Sequence, residues 1–201
     1  MNWPKYKWQG KSGSIIYKLP NGNLAKSVNR KEMEIHKHLQ GVASWSSVKN
    51  LFVPVTFIAT ELIVMPNAGE ELFYIPSNLS LKTKQSILLQ MLVAVYWLNQ
   101  VAKVQHNDIN PWNFLFEPVG SVDTTIDTTI DTTINGHRLI VPIIGYHVRL
   151  IDFGKATASS TTDEVYEVLH AYLIGVRKKD SIITQGKTML ECINSVIQLM
   201  Q

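Results

Sequence analysis

Residues 106–113 read His-Asn-Asp-Ile-Asn-Pro-Trp-Asn, and residues 150–154 read Leu-Ile-Asp-Phe-Gly. These two segments constrain the fold more than any other feature, because they share one chemistry and must meet in space. Asp108 is a base able to take a proton from a hydroxyl. Asn113, five residues later, and Asp152, at the end of an apolar run, are hard oxygen ligands suited to a cation that bridges phosphates. Taken alone, Asp108 is as well explained as a turn residue whose side chain bonds nearby backbone. Together, Asp-x-x-x-x-Asn and a later Asp-Phe-Gly are the parts of a site that moves phosphoryl groups from ATP with the help of Mg²⁺.

Bringing two distant loops together requires a core. The chain has 201 residues, 45% of them hydrophobic, enough for one domain or two small lobes sharing an interface. A net charge of +3 without a dense Lys/Arg run gives no reason to expect nucleic acid as a partner. The longest apolar stretch, 86–102, is broken by Gln90, Asn99 and Gln100, so it reads as a buried helix and no membrane association is expected. The single cysteine, Cys192, excludes an internal disulfide framework and fits a reducing, cytoplasmic compartment. Trp3, Lys5, Lys7 and Trp8 near the start leave no apolar signal core.

Residues 14–19 and 24–28 read as strands around Pro20-Asn21-Gly22-Asn23, and Asn-Gly is a strong hairpin signal. Asn29 caps a helix over 31–40 with Met33, Ile35 and Leu39 as its apolar positions. Two further strands are expected over 52–58 and 62–65, then a connector at 66–69. A long helix over 80–102 leads into the Asp108 loop. Residues 123–134 are three copies of Asp-Thr-Thr-Ile. They are too short for a repeat fold, and the 121–136 segment reads as a low-complexity surface insert; extended, the repeat puts its isoleucines on one face and its aspartates on the other, so it could form a short exposed ribbon. Strands over 139–144 and 147–152 and helices over 162–173 and 189–200 complete the reading.

This order and these motifs resemble the protein-kinase superfamily, and the gap between Asn113 and Asp152 is similar to compact, truncated kinases encoded by large DNA viruses. The resemblance covers most of the chain, from about Trp8 to Leu173. It implies an α+β, bilobal fold. Residues 1–66 would form a β-rich small lobe with one main helix. Residues 67–201 would form a reduced, mainly helical large lobe. It implies Asp108 as catalytic base and Asn113 and Asp152 as Mg²⁺ ligands. Lys26 would be the phosphate-holding lysine, paired with Glu32 on the following helix (Glu34 being the alternative), and His106 a structural histidine. Gly10 and Gly13 would belong to a phosphate-covering loop. Met65, Pro66 and Ala68 would form the adenine pocket, with the Pro66 carbonyl and the Ala68 N–H facing the base. A Walker A reading of Gly10-Lys11-Ser12 fails, because Lys5 stands where that motif needs glycine.

Four departures bear on function. Asn107 replaces the arginine before the base, which implies no control by a phosphorylated activation loop. Asn110 replaces the lysine two residues after the base, and Lys155 is a candidate substitute. Only residues 155–162 separate Gly154 from Asp163-Glu164-Val165-Tyr166, which resembles the start of the central helix, so a full peptide-binding platform is missing. Asp163 is then either the anchor of the catalytic loop or a helix-capping acid. Few residues follow Leu173. The resemblance thus implies an ATP- and Mg²⁺-dependent kinase acting on Ser/Thr of a protein, in the host cytoplasm or virion. A small-molecule phosphotransferase and a pseudokinase that regulates a host protein partner stay open beside it.

Overall fold

A computed structural model describes residues 8–9, 14–76, 78–119, 129–158, 163–176 and 188–200 of the chain. The expected Asn21-Gly22 hairpin is present. Gly22 sits at φ +84°, a conformation that glycine adopts without a Cβ penalty. It joins β2 (Ile15–Lys18) to β3 (Leu24–Ser27) with Ile16 opposite Lys26. Outside β2 lies β1 (Trp8–Gln9). Inside β3 lie β5 (Leu62–Met65) and then β4 (Thr56–Ala59), giving an antiparallel sheet in the order β1-β2-β3-β5-β4.

The strand expected over 52–58 begins only at Thr56. Pro54 has no N–H to give a sheet ladder. Upstream of it, Phe52 bridges to Leu150 instead, and its ring lies 5.3 Å from Trp45 and 5.5 Å from Trp97. Helix α1 (Arg30–Gly41) is capped as expected, the Asn29 side chain accepting from the Glu32 N–H at 2.8 Å. Met33, Ile35 and Leu39 are buried, and with them Glu32 and His36, one helical turn apart. A single turn, α2 (Trp45–Val48), and a 3₁₀ turn, Lys49–Leu51, follow.

Past the connector, Gly69 lies at φ +104°, and a Cβ there would stand 2.1 Å from the Phe116 carbonyl, so only glycine fits. This lets β6 (Glu70–Glu71) reach β7 (Phe114–Pro118), which pairs on its other side with β10 (Tyr146–Leu150). The β7–β10 ladder positions both motifs. Phe114 lies opposite Leu150, so Asn113 and Ile151 leave the sheet side by side, the Ile151 N–H donating to the Asn113 carbonyl at 2.9 Å.

Helix α3 (Leu81–Gln100) is buried nearly all round, and it starts at Ser80, whose hydroxyl accepts from the Thr83 N–H. Two of its buried polar groups, Gln90 and Ser86, are tied to the segment 142–148, and burial requires such partners. Gln90 donates to the Tyr146 carbonyl at 2.9 Å and accepts from the Val148 N–H at 2.8 Å. Ser86 donates to the Pro142 carbonyl at 2.6 Å and accepts from the Ile144 N–H at 3.0 Å.

From Thr129 on, the insert is not a surface ribbon. β8 (Thr129–Ile134) pairs with β9 (His137–Pro142) through Asn135-Gly136, both at positive φ. Ile130, Thr132 and Ile134 are buried, and Thr132 bonds Ser47 of α2 at 2.9 Å. The four-residue period of the repeat is a multiple of the strand period. Every isoleucine in the strand therefore faces inward, while Asp131 faces out to meet Arg138. The helices expected near the end are α4 (Val165–Val176) and α5 (Met189–Met200), and both pack on α3. The main hydrophobic core runs along α3 and includes Ile35 and Leu39 of α1. A small second cluster of Val28, Met33 and Ile63 sits between α1 and the sheet. Among the described residues no helix is long and apolar enough to cross a membrane.

Candidate phosphoryl-transfer site

The loop that follows α3 is pinned from three directions. Gln105 and Thr157 exchange both backbone hydrogen bonds at 2.9 Å, tying the loop to the chain beyond Asp152. The Glu164 carboxylate, buried just ahead of α4, accepts from the His106 N–H at 2.9 Å, the Asn107 N–H at 2.8 Å and the Asn99 side-chain amide at 2.9 Å. Asn107 holds φ at +61°, and its N–H and that of His106 meet the same carboxylate. Such strain is held where surrounding bonds over-determine the backbone. The loop anchor is therefore Glu164 and not Asp163. Asp163 is exposed and serves as a capping acid, accepting from the Val165 N–H at 3.2 Å and the Met189 N–H at 3.1 Å. One residue decides which acid faces the loop.

His106 is fully enclosed. Its Nε2 meets the Ile151 carbonyl at 2.9 Å, and its ring centre lies 5.1 Å from that of Phe153. Burial pulls its pKa below the usual histidine value, outweighing the Ile151 carbonyl and the nearby carboxylates, so the ring is neutral. It acts as a strut between the two motif segments. Phe153 also meets the His36 ring of α1 edge-on at 5.1 Å, so one aromatic ring links α1, the Asp108 loop and Asp152.

Asp108 is held at both ends. Its backbone carbonyl accepts from the Asn113 amide at 2.8 Å and the Asn110 amide at 2.9 Å. Its Oδ2 lies 3.3 Å from the same Asn113 Nδ2, and its Oδ1 receives the Lys155 ammonium at 2.9 Å. Asn110 is thus a turn residue, its Oδ1 capping the 3₁₀ turn Pro111–Asn113 through the Trp112 N–H. Asp152 sits at φ +64° and caps the 3₁₀ turn Phe153–Lys155.

Facing this loop, Lys26 of β3 joins α1 to Asp152. Its Nζ lies 2.7 Å from Glu32 Oε1 and 2.8 Å from Asp152 Oδ1, across 126 residues of sequence in the second case. Glu34, the alternative partner, points outward and pairs with Arg30. Burial alone lowers the Lys26 pKa, but the Glu32 and Asp152 charges and their hydrogen bonds outweigh it, and the net pKa is raised. Burial alone raises the Asp152 pKa, but the Lys26 charge and hydrogen bond, with the Gly154 N–H and His106, leave it lowered. Lys26 and Asp152 are therefore charged at neutral pH.

A cleft of about 540 Å³, open solvent at its mouth included, runs between the five-stranded sheet and β10. Lys26, Glu32 and Asp152 form its polar side, and Ile16, Val55, Ile63, Met65 and Leu150 belong to its apolar walls. Met65 is therefore where a flat apolar group would lie. Pro66 and Ala68 line a separate hollow of about 850 Å³ that Trp45, Lys49 and Arg149 also border. Gly10 and Gly13 lie outside the described residues.

The donor set fits a hard divalent cation. Asn113 commits its amide nitrogen to Asp108, which leaves Oδ1 as an oxygen donor. Asp152 commits Oδ1 to Lys26 and the Gly154 N–H, which leaves Oδ2. Two oxygens from adjacent segments suit an ion that completes its shell with water and phosphate. Among the described residues no group of three or more His, Cys, Asp and Glu side chains is placed to hold a metal ion. No protein-family model and no curated protein matches the chain.

Proposed function

We propose that the chain is an ATP- and Mg²⁺-dependent phosphotransferase of the protein-kinase type, acting on Ser or Thr hydroxyls of a protein. The observation that carries this reading is the Glu32–Lys26–Asp152 chain lining a cleft, with Asn113 bonded to Ile151 next to Asp152 and Lys155 tying Asp108 to the same segment. A buried ion pair is a poor way to stabilise a fold, since apolar residues of similar volume do as well or better. A lysine set between two carboxylates on a cleft wall is better explained by a ligand that needs it. In this reading residues 1–66 form the small lobe and residues 67–201 the reduced large lobe.

Each residue then has a role. The apolar walls at Ile16, Val55 and Met65 take the adenine. Lys26, oriented by Glu32, holds the α- and β-phosphates as a fixed positive charge. Asn113 and Asp152 hold Mg²⁺, which supplies charge neutralisation on the triphosphate. Asp108, oriented through Asn113 and Asn110, accepts the proton of the acceptor hydroxyl. Catalysis is positioning and electrostatics, with no covalent intermediate on the chain.

The test is transfer of label from γ-labelled ATP with Mg²⁺, wild type beside Asp152→Ala, offered itself, a generic protein and a cell lysate. Label on protein that is lost in the variant is expected. Variant-sensitive ADP release with label on small molecules only would move the acceptor to a metabolite. No Asp152-dependent turnover would overturn the phosphotransferase reading.

A further inference from the structure

Phosphoryl transfer concentrates negative charge at two places, the triphosphate and the oxygen that attacks it. Lys26 serves the first, deep in the cleft between Glu32 and Asp152. The acceptor end, at Asp108, needs its own cation, because an acceptor hydroxyl brought to Asp108 approaches a carboxylate and a phosphoryl group that are both negative. Asn110, beside Asp108, cannot supply it. It is an uncharged amide, and it is spent on the Asp108 carbonyl and the Trp112 N–H.

We infer that Lys155 is the cation of the acceptor end, and that it moves from Asp108 to the transferring phosphoryl group when acceptor and nucleotide are both bound. This deepens the phosphotransferase reading and rests on it. Among the described residues Lys155 is the one Lys or Arg in contact with the Asp108 carboxylate, at 2.9 Å from Oδ1. Its side chain is 64% exposed, against 7% for Lys26, so releasing Asp108 costs it little packing or desolvation. A lysine ammonium is a point charge on a flexible four-carbon stem, suited to swinging between two partners. Its backbone is not loose. Lys155 ends the 3₁₀ turn that Asp152 caps, Ala156 is buried next to it, and Thr157 is paired with Gln105. The root is fixed to the same segment as Asp152 and the head is free to move.

The step balances without further reagents. The acceptor O–H bond breaks and its proton passes to an Asp108 oxygen. The acceptor oxygen bonds the γ-phosphorus. The bond from that phosphorus to the β–γ bridging oxygen breaks, and its electron pair leaves with ADP. Lys155 makes and breaks no covalent bond. In the empty site it neutralises Asp108. With acceptor and nucleotide bound, the acceptor hydroxyl takes the place of the ammonium at Asp108, and the ammonium turns to the oxygens of the phosphoryl group before the proton moves.

The test replaces the charge and then restores it chemically. Lys155→Met should lower kcat by about a hundredfold, the scale for removing one donor to developing charge, with the KM for ATP within about twofold of wild type. Lys155→Cys should lose as much. Treating it with 2-bromoethylamine, which rebuilds an ammonium of lysine length on the thiol, should restore most of the activity. Iodoacetamide, which adds a neutral amide, should not. The other cysteine, Cys192, is buried, so wild-type protein carried through both treatments gives the baseline. If wild type and Lys155→Met turn over alike while Asp152→Ala is dead, the inference falls and the phosphotransferase reading stands. If the amine and the neutral amide restore activity equally, Lys155 acts by bulk and the inference is again overturned. If wild type shows no Asp152-dependent transfer, the wider reading falls and takes this one with it.

Discussion

Lys26 and Glu32 behave as one energetic unit, because each is buried and each is the other's solvent. Replacing Lys26 by Met should leave Glu32, 2% exposed, without a counter-charge, at a cost of about 3–5 kcal/mol. Adding Glu32→Leu to that variant should recover part of the loss. Urea unfolding of the four corners of this cycle measures it, and strict additivity would mean that the pair is not coupled. The pair was named from the sequence only through the resemblance, with Glu34 as the alternative, and the face of α1 on which each acid lies decides for Glu32. Glu164 was not legible in the sequence. Asp163 and Glu164 are adjacent acids, and which of them faces the loop depends on the residue at which α4 starts, a boundary that sequence patterns place only to within a residue or two. The structure starts α4 at Val165, which leaves Asp163 to cap it and Glu164 to hold three donors. Glu164→Gln, which turns one acceptor oxygen into a donor facing backbone N–H groups, should cost about 1–3 kcal/mol in thermal or urea unfolding. Asp163→Asn keeps an acceptor at the helix cap and should cost well under half as much.

At the scale of elements, the hairpin at residues 129–142 shows what a compositional reading misses. Asn135-Gly136 carries the same turn signal as Asn21-Gly22, but three copies of Asp-Thr-Thr-Ile next to it read as low complexity. The decisive quantity is the period. Four is twice the strand period, so the repeat is an alternating strand in disguise, with Ile130 and Ile134 on one face. The partner strand alternates too: Leu139 and Val141 are buried and Ile140 is 48% exposed. Ile134→Ala should therefore cost about 2–5 kcal/mol, whereas Ile140→Ala, on the outer face of the same hairpin, should stay within about 0.5 kcal/mol. Equal effects in a urea melt would show that the hairpin does not belong to the core. Helix α3 was plain from its spacing of apolar residues, yet its inward Ser86 and Gln90 were unreadable, because their partners are backbone groups of strands 56 and 58 residues away. The shortened strand after Phe52 had its reason in the sequence at Pro54. Its replacement contact, the bridge to Leu150, did not, since a bridge between such distant residues leaves no local pattern.

At the scale of the whole molecule, the charged network makes stability depend on pH in a way whose sign is fixed. The lysine end is the alkaline limit: with its pKa raised in the fold, Lys26 stabilises fully below the unfolded value of 10.5 and less as pH climbs through its folded value. Asp152, lowered in the fold, stabilises above its unfolded value of 3.8 and less as pH falls through its folded value. The range between is governed by two histidines, the half-buried His147 and the buried His106. His147 on β10 lies 3.1 Å from Arg149, which in turn bonds Glu117 of β7 at 2.6 Å. Burial, with the Arg149 charge beside it, pushes His147 down to about 4 from 6.5, so between those values the unfolded chain binds a proton that the folded chain refuses. Stability must then rise with pH across that window. A full shift of this size, discounted for partial exposure to solvent, is on the order of 2 kcal/mol. His106, lowered by burial in the same direction, adds to the slope. His147→Asn keeps an oxygen where Nδ1 accepts from Arg149 and removes the titration. Urea unfolding at pH 4.5, 5.5 and 7 should show wild type losing stability steadily toward acid and the variant losing distinctly less. Parallel slopes would mean that His147 is not held neutral, and that β7 and β10 are more open to water than the packing around Arg149 implies.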